Sequence, residues 1–132
     1  MEAEQLVAPS LLIADDNRDF RETLQGVFAP RGFNTHLAQD GEEAVEIFQQ
    51  RDIHLVLMDM HMPKLTGLEA IDRIKLIRRE IPCILISANL DEEIRKQASD
   101  AFDVLSKPVS FRQITMSVGS ALESAYQWQI KF

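Results

Sequence analysis

Residues 55–67, which read LVLMDMHMPKLTG, contain a buried strand, an acidic residue at its end and the start of a helix. The run Leu55–Met58 is continuously apolar, as is typical of strands that are covered on both faces of a sheet. Asp59 follows this run directly, and Thr66 opens a capping box with Glu69, a pattern typical of a helix N-terminus. The stretch therefore predicts a strand, a loop and a helix in that order.

The same succession of a short apolar run and an amphipathic segment recurs on both sides of this stretch. The other predicted strands are Leu11–Ala14, Thr35–Ala38, Cys83–Ile86 and Val104–Leu105. Helical periodicity predicts the inward-facing side chains of the third and fifth helices, which are Leu68, Ile71, Ile74 and Ile77, then Phe111, Ile114, Val118, Ala121, Leu122 and Ala125. The remaining helices are predicted to follow Asn17, Asp40 and Asp91. Five strands alternating with five helices predict a single α/β domain, a doubly wound (βα)5 fold with a parallel sheet covered on both faces.

Composition and charge restrict the class of protein. The 132 residues are enough for one ordinary domain, and 45% hydrophobic with 27% charged residues is typical of soluble globular proteins. The net charge of −7 argues against a surface that neutralises phosphates, so we expect no direct nucleic-acid binding by this chain. A single cysteine excludes a disulfide framework.

The ends of the chain carry little periodicity. Residues 1–9 are predicted to form a flexible arm, residues 10–127 the domain, and residues 128–132 a tail or the start of a linker. The first residues lack the basic and apolar regions of a signal peptide, and no apolar run reaches the roughly 18 residues of a membrane span. We therefore expect a cytoplasmic protein with no membrane contact.

Chemically versatile side chains stand at the carboxyl ends of four of the predicted strands. Asp15 and Asp16 follow the first strand, Asp59 the third, Ser87 the fourth and Lys107 the fifth. Because the carboxyl ends of parallel strands meet at one edge of a sheet, these groups are expected to converge there. Two unit charges about 4 Å apart repel by about 4 kcal/mol at an effective dielectric near 20, so three carboxylates need a cation. Oxygen ligands without a His or Cys cluster favour Mg²⁺.

The same set of groups is suited to phosphoryl transfer onto an aspartate. A carboxylate beside a hard cation is a competent nucleophile toward phosphorus. The transferring phosphoryl group spreads negative charge over three oxygens, and an ammonium and a hydroxyl offset part of that charge. Lys107 supplies the ammonium and Ser87 the hydroxyl, and the residues alone leave open which of the three carboxylates is the nucleophile.

Four motifs occur in order at the predicted strand ends, namely Asp15-Asp16, Asp59-Met60-His61-Met62-Pro63 with Gly67 following, Ser87-Ala88 and Lys107-Pro108. Together they resemble the response regulator receiver domain of two-component signalling over about residues 10–127. The resemblance implies the flavodoxin-like strand order 2-1-3-4-5. It also implies that the chain is a phosphoacceptor signalling domain and not an enzyme with its own turnover.

By this resemblance, Asp59 accepts a phosphoryl group from the phosphohistidine of a sensor histidine kinase or a phosphotransfer protein. Asp16 binds Mg²⁺ directly and Asp15 binds it through water, with Asp59 and the backbone carbonyl of His61 as further ligands. Mn²⁺ is a possible substitute. The partner on the output side is an unidentified protein, an effector domain or a second copy of the chain.

The resemblance also assigns roles near the fourth and fifth strands. Ser87 is the switch hydroxyl, Lys107 contacts the phosphoryl group, and the peptide bond before Pro108 is cis. Val104 occupies the position where the family usually carries an aromatic ring that moves as the hydroxyl engages the phosphoryl group. Because valine has no ring, this form of coupling is in doubt. A sparse apolar face predicts that residues 88–101 are mobile.

Three other functions remain open from the residues. A receiver-like docking module that works without phosphorylation is compatible with Val104. A phosphohydrolase with an aspartyl nucleophile would need a second acid two residues later, where this chain has His61. A flavin mononucleotide module would need a hydroxyl- and glycine-rich phosphate loop after the first strand, where this chain has two acids.

Overall fold

The computed structural model describes residues 8–132 and contains a five-stranded parallel sheet with the strand order 2-1-3-4-5. The strands are β1 (Ser10–Ala14), β2 (Asn34–Ala38), β3 (Leu55–Asp59), β4 (Cys83–Ser87) and β5 (Asp103–Ser106). The helices are α1 (Arg18–Phe28), α2 (Gly41–Gln50), α3 (Gly67–Ile77), α4 (Glu92–Gln97) and α5 (Phe111–Tyr126), with one 3₁₀ turn at Ala29–Arg31. The predicted doubly wound fold and its strand order are confirmed.

Alternating residues of the central strands build two separate cores, one on each face of the sheet. Leu12 and Val56 face a core shared with α2, α3 and α4. Leu11 and Leu57 face the opposite core, shared with α1 and α5. This explains why the central strands are continuously apolar, because both faces are buried.

The helices begin at the residues that the sequence indicates. The side chains of Asn17, Asp40 and Asp91 each accept a hydrogen bond from a backbone N–H in the first turn of α1, α2 and α4. Complete capping boxes precede α3 and α5, at Thr66 and Ser110.

The predicted inward faces of α3 and α5 are wrong at the helix ends. Ile77 is 47% exposed and Phe111 is 51% exposed, and Ala125 is also exposed. These residues lie on the first or last turns of their helices. Periodicity identifies the stripe that faces a neighbour but not where that neighbour ends.

Helix α4 is the shortest helix, with six residues, of which none is buried. Ala98, just beyond its end, is buried, while Ile94 is only partly buried. The sparse apolar face read from the sequence is therefore present. The mobility of residues 88–101 remains a prediction.

The predicted domain boundaries remain a prediction, but both ends of the described part of the chain contact the domain. Residues 1–7 of the predicted arm lie outside the described residues, but Pro9 is buried and its carbonyl accepts a hydrogen bond from the N–H of Asn34 at 2.8 Å. At the other end, Gln127 adopts a left-handed conformation (φ 59°) that ends α5 and turns the chain back. Within residues 8–132, no helix has both the length and the apolar character to cross a membrane.

The turned-back segment, residues 126–132, packs on the edge of the domain where β1 and β3 begin. Tyr126 stacks on Trp128 with 4.7 Å between ring centroids, and both rings meet His54 edge-on. The Tyr126 hydroxyl donates to the His54 carbonyl at 2.7 Å and accepts from the Arg78 guanidinium at 3.1 Å. The segment is thus tied to the domain at several points.

Candidate functional site

The strand register brings the predicted site residues to one level at the carboxyl edge of the sheet. Ala14 pairs with Met58, so Asp15 and Asp59 follow at the same height on neighbouring strands. Asp59 pairs with Ile86, the residue before Ser87. Backbone bonds fix the adjoining loop, because the Lys107 N–H donates to the Ser87 carbonyl at 2.9 Å. The predicted convergence is therefore a direct result of the parallel register.

Three carboxylates form one cluster at this edge. One carboxylate oxygen from each of Asp15, Asp16 and Asp59 lies within 4.8 Å of the others. Asp15 and Asp59 are buried, at 2% and 4% exposure, whereas Asp16 is exposed. The donor set consists only of hard oxygens, which fits Mg²⁺ and gives no soft ligand for zinc. Among residues 8–132, this is the one group of His, Cys, Asp and Glu side chains close enough to hold a metal ion.

The Lys107 ammonium lies against two of these carboxylates. Its Nζ donates to Oδ2 of Asp15 at 2.9 Å and lies 3.4 Å from Oδ1 of Asp59. The Lys107 side chain is 25% exposed, so these contacts are partly shielded from solvent. The cluster therefore combines a carboxylate, which can act as a nucleophile, with a cation, which can stabilise the negative charge of a phosphoryl group during its transfer.

The surroundings of Asp59 and Lys107 shift the pKa of both groups upward. Burial raises the pKa of Asp59 to about 6, the charge of Asp15 adds to this effect, and Lys107 opposes it. Burial alone would lower the pKa of Lys107, but its contacts with Asp15 and Asp59 outweigh burial and raise that pKa. Asp59 is thus a carboxylate whose negative charge is poorly compensated until another cation arrives.

The other predicted residues lie on β4, on β5 or in the loops that follow β3 and β5. Ser87 is fully buried at the end of β4, and its Oγ accepts a hydrogen bond from the Asn89 N–H at 3.2 Å. The peptide bond between Lys107 and Pro108 is cis. Val104 is half-buried on β5 and packs against the core shared with α2, α3 and α4. His61 is exposed in the loop after β3.

Asp15 is held in place by the backbone N–H of Asn17, which the sequence indicated only as a helix cap, and by the side chain of Arg21, which the sequence did not single out. The Asn17 N–H donates to Oδ1 of Asp15 at 2.8 Å, and the Arg21 guanidinium donates to the Asp15 carbonyl at 2.7 Å. The Asn17 side chain in turn caps α1 by accepting from the Phe20 N–H at 3.0 Å. The signal that could have indicated Arg21 is its position one turn after the cap, from which a long side chain reaches back over the helix N-terminus.

Phe20 is a further neighbour of the site, to which the sequence analysis assigned no role. Its ring centroid lies 4.5 Å from Nζ of Lys107, while the remainder of the side chain packs against the core of α1 and α5. A spacing pattern gives the face of the helix but not a contact with a residue 87 positions later in the sequence.

The family model described as response regulator receiver domain matches residues 11–119. Response regulator RR06 of Streptococcus pneumoniae serotype 2 is 31% identical over 119 residues, covering 89% of this chain and 54% of the relative. Regulatory protein AtoC of Escherichia coli is 35% identical over 117 residues, covering 86% of this chain and 25% of the relative. The chain therefore spans about half of one curated relative and a quarter of the other.

The fold also resembles solved structures. A CheX–CheY–BeF₃–Mg²⁺ complex from Borrelia burgdorferi aligns with a TM-score of 0.80 at 28% identity, covering 86% of this chain and 89% of the other.

Proposed function

Because the chain belongs to the response regulator receiver domain family, we propose that Asp59 accepts a phosphoryl group from the phosphohistidine of a sensor histidine kinase or phosphotransfer protein. The observation that carries this proposal is the position of Lys107 Nζ, 2.9 Å from Asp15 and 3.4 Å from Asp59, beside three clustered carboxylates. Receiver domains are parts of signalling proteins and not conventional enzymes. We accordingly propose that the chain promotes at most its own phosphorylation and dephosphorylation.

The acidic cluster is suited to hold Mg²⁺, with Mn²⁺ as a substitute. Asp16 would bind the ion directly and Asp15 through water, with Asp59 and the backbone carbonyl of His61 as further ligands. A bound divalent cation supplies positive charge to the carboxylates and to the phosphoryl oxygens. The support for this assignment is chemical, since the clustered donors are all hard oxygens.

The residues of the chain have separate tasks in the transfer. An oxygen of the Asp59 carboxylate attacks phosphorus, the new O–P bond forms, and the P–N bond to the donor imidazole breaks, leaving the electron pair on that nitrogen. The Lys107 ammonium offsets negative charge on the phosphoryl oxygens, and the Ser87 hydroxyl donates a hydrogen bond to one of them. With a pKa of about 6, Asp59 is mostly ionised at neutral pH, as a nucleophile must be.

The modification is proposed to shift an equilibrium between two arrangements of the loops after β4 and β5, which carry Ser87 and Lys107. Val104 has no ring to move, so the change is transmitted by the serine hydroxyl and the lysine ammonium. The surface so altered would bind an output protein, an attached effector domain or a second copy of the chain. The place of action is proposed to be the cytoplasm, without direct nucleic-acid or membrane contact.

The test is the intact mass of the protein after incubation with a phosphohistidine donor or acetyl phosphate and Mg²⁺. We expect a gain of one phosphoryl group that is abolished by EDTA and by Asp59→Asn. Asp72→Asn, at an exposed position of α3, is the matched control and should label like the parent. Equal labelling of the Asp59 variant would contradict the proposal, and steady release of phosphate from a phosphomonoester would favour the phosphohydrolase.

A further inference from the structure

The aromatic ring of Phe20 lies over the ammonium group of Lys107, with 4.5 Å between the ring centroid and Nζ. We propose that Phe20 is a positioning residue for phosphoryl transfer, which holds this ammonium against Asp15 and Asp59 and keeps water away from it. This inference rests on the proposed function, because it assigns Phe20 a task in the transfer to Asp59.

A closed chain of contacts links Phe20 to Asn17, Asp15 and Lys107. Oδ1 of Asp15 accepts from the Asn17 N–H at 2.8 Å, and Oδ1 of Asn17 accepts from the Phe20 N–H at 3.0 Å. The Phe20 ring faces Nζ of Lys107, which donates to Oδ2 of the same Asp15 at 2.9 Å. Each of these residues contacts the next. We therefore expect that displacing the Phe20 ring disturbs both Lys107 and Asp15.

The chemistry of lysine explains why such a restraint has an effect. A lysine ammonium is strongly hydrated, has three donors and ends a flexible stem, so it does not stay in one place unless its surroundings hold it. Here two carboxylates take up one side of Nζ, and the negative face of the ring lies on another, where water would otherwise bind. An ammonium held in this way is already placed for an incoming phosphoryl group.

Packing alone does not require an aromatic residue at this position. Phe20 is only half-buried, and an aliphatic side chain could cover the same part of the core of α1 and α5. The contact with Nζ is different, because it depends on the electron distribution of the ring. Comparing Phe20→Leu with Phe20→Tyr therefore separates the two contributions.

The experiment measures the rate of Asp59 phosphorylation by acetyl phosphate at saturating Mg²⁺. A small-molecule donor is used so that partner docking does not affect the rate. We expect Phe20→Leu to slow labelling about 3- to 10-fold and Phe20→Tyr to stay within about twofold of the parent. Circular dichroism establishes that both variants fold, and Phe20→Trp is a second ring-bearing variant.

A double-mutant cycle tests whether Phe20 acts through the lysine. On a Lys107→Ala background, Phe20→Leu should leave the residual rate unchanged. An unchanged rate for Phe20→Leu alone, an equal loss on the Lys107→Ala background, or a Tyr variant as slow as the Leu variant would each overturn the inference.

Proton NMR of the Lys107 ε-methylene gives a readout that needs no phosphorylation. The facing ring should shift these protons upfield in the parent and in Phe20→Tyr but not in Phe20→Leu. The absence of that shift in the parent would overturn the stacked arrangement. A parent that takes up no phosphoryl group would overturn the proposed function and this role with it, whereas normal parental labelling with an unaffected Leu variant overturns the role of Phe20 alone.

Discussion

The Asp59 carboxyl is destabilising in the metal-free protein, because it is buried beside the negative charge of Asp15 and only partly compensated by Lys107. Its pKa of about 6 reflects this imbalance, because the folded protein retains a proton that the unfolded chain releases near its ordinary pKa of 3.8. The same partly compensated charge of Asp59 therefore favours the binding of a cation and destabilises the protein when no cation is bound.

Asp59→Asn is therefore expected to stabilise the protein in EDTA at pH 7. The gain is about 1–2 kcal/mol, which is less than the full pKa difference implies because solvent and Lys107 screen the charge. In the parent, the folded state binds more protons than the unfolded state between about pH 4 and 6, so its free energy of unfolding falls as the pH rises through that window. Urea unfolding from pH 4 to 7 measures both effects, and an identical pH dependence of parent and variant would contradict them.

Asp16 is the exposed member of the acidic cluster and is expected to control the affinity for Mg²⁺. Binding to the folded state alone stabilises the parent by about 1.4 kcal/mol at a tenfold excess over the dissociation constant. Asp16→Asn should lose most of this gain at the same Mg²⁺ concentration. Thermal unfolding during a Mg²⁺ titration provides the measurement. Asp19→Asn, three residues further in the first turn of α1, is the control and should respond like the parent.

Helix α3 begins in close contact with the end of β3. Its first residue, Gly67, donates its N–H to the Met60 carbonyl at 2.8 Å. A Cβ at Gly67 would collide with the Asp59 carbonyl oxygen and lie 2.9 Å from the Met60 Cα. The absence of a side chain thus lets the helix start directly behind the end of β3.

Gly67→Ala should lower the free energy of unfolding by about 2–3 kcal/mol, because backbone atoms of the Asp59 loop must move to accommodate the methyl group. Gly26→Ala is the matched control in α1, where nothing lies within 4 Å of the added Cβ. This control should stabilise the protein by about 0.5–1 kcal/mol through the higher helix propensity of alanine. Urea unfolding measures both, and a Gly67 variant as stable as the control would contradict the close approach.

The elements show which parts of the structure were readable from the sequence. Strands buried on both faces and capped helices have local signatures, so β3 and the capping box at Thr66 were predictable from neighbouring residues alone. The convergence of Asp15, Asp59 and Lys107 followed from one rule on parallel sheets. The contact of Phe20 with Lys107 was not readable, because it joins α1 to the loop after β5 through the rotamers of both side chains.

The molecule as a whole has two differently built ends. The carboxyl edge of the sheet holds three clustered carboxylates and the lysine that contacts two of them. At the opposite end, Tyr126 and Trp128 of the turned-back segment pack with His54, and the imidazole Nδ1 of His54 accepts from the Ser10 N–H at 2.9 Å. The charged groups are thus gathered at one end of the sheet and the aromatic contacts at the other.

Tyr126→Phe is expected to lower the stability by about 1–2 kcal/mol, because it removes a hydroxyl that donates to the His54 carbonyl and accepts from Arg78. Phe111→Leu, at an exposed aromatic residue of the same helix, should change stability by no more than about 0.5 kcal/mol. Fluorescence of the single tryptophan, Trp128, follows the loss of this end of the molecule. If Tyr126→Phe lowers the stability no more than Phe111→Leu does, the Tyr126 hydroxyl contributes nothing to the stability.

The central claim is that Asp59, at the carboxyl edge of the sheet, accepts the phosphoryl group. Peptide mass spectrometry tests it most directly, because it locates the modified residue. After incubation with acetyl phosphate and Mg²⁺, borohydride reduction converts an aspartyl phosphate to homoserine. The expected result is homoserine at position 59 alone, with none in samples that contain EDTA. Homoserine at another aspartate, or none at position 59 despite a gain in intact mass, would contradict the assignment.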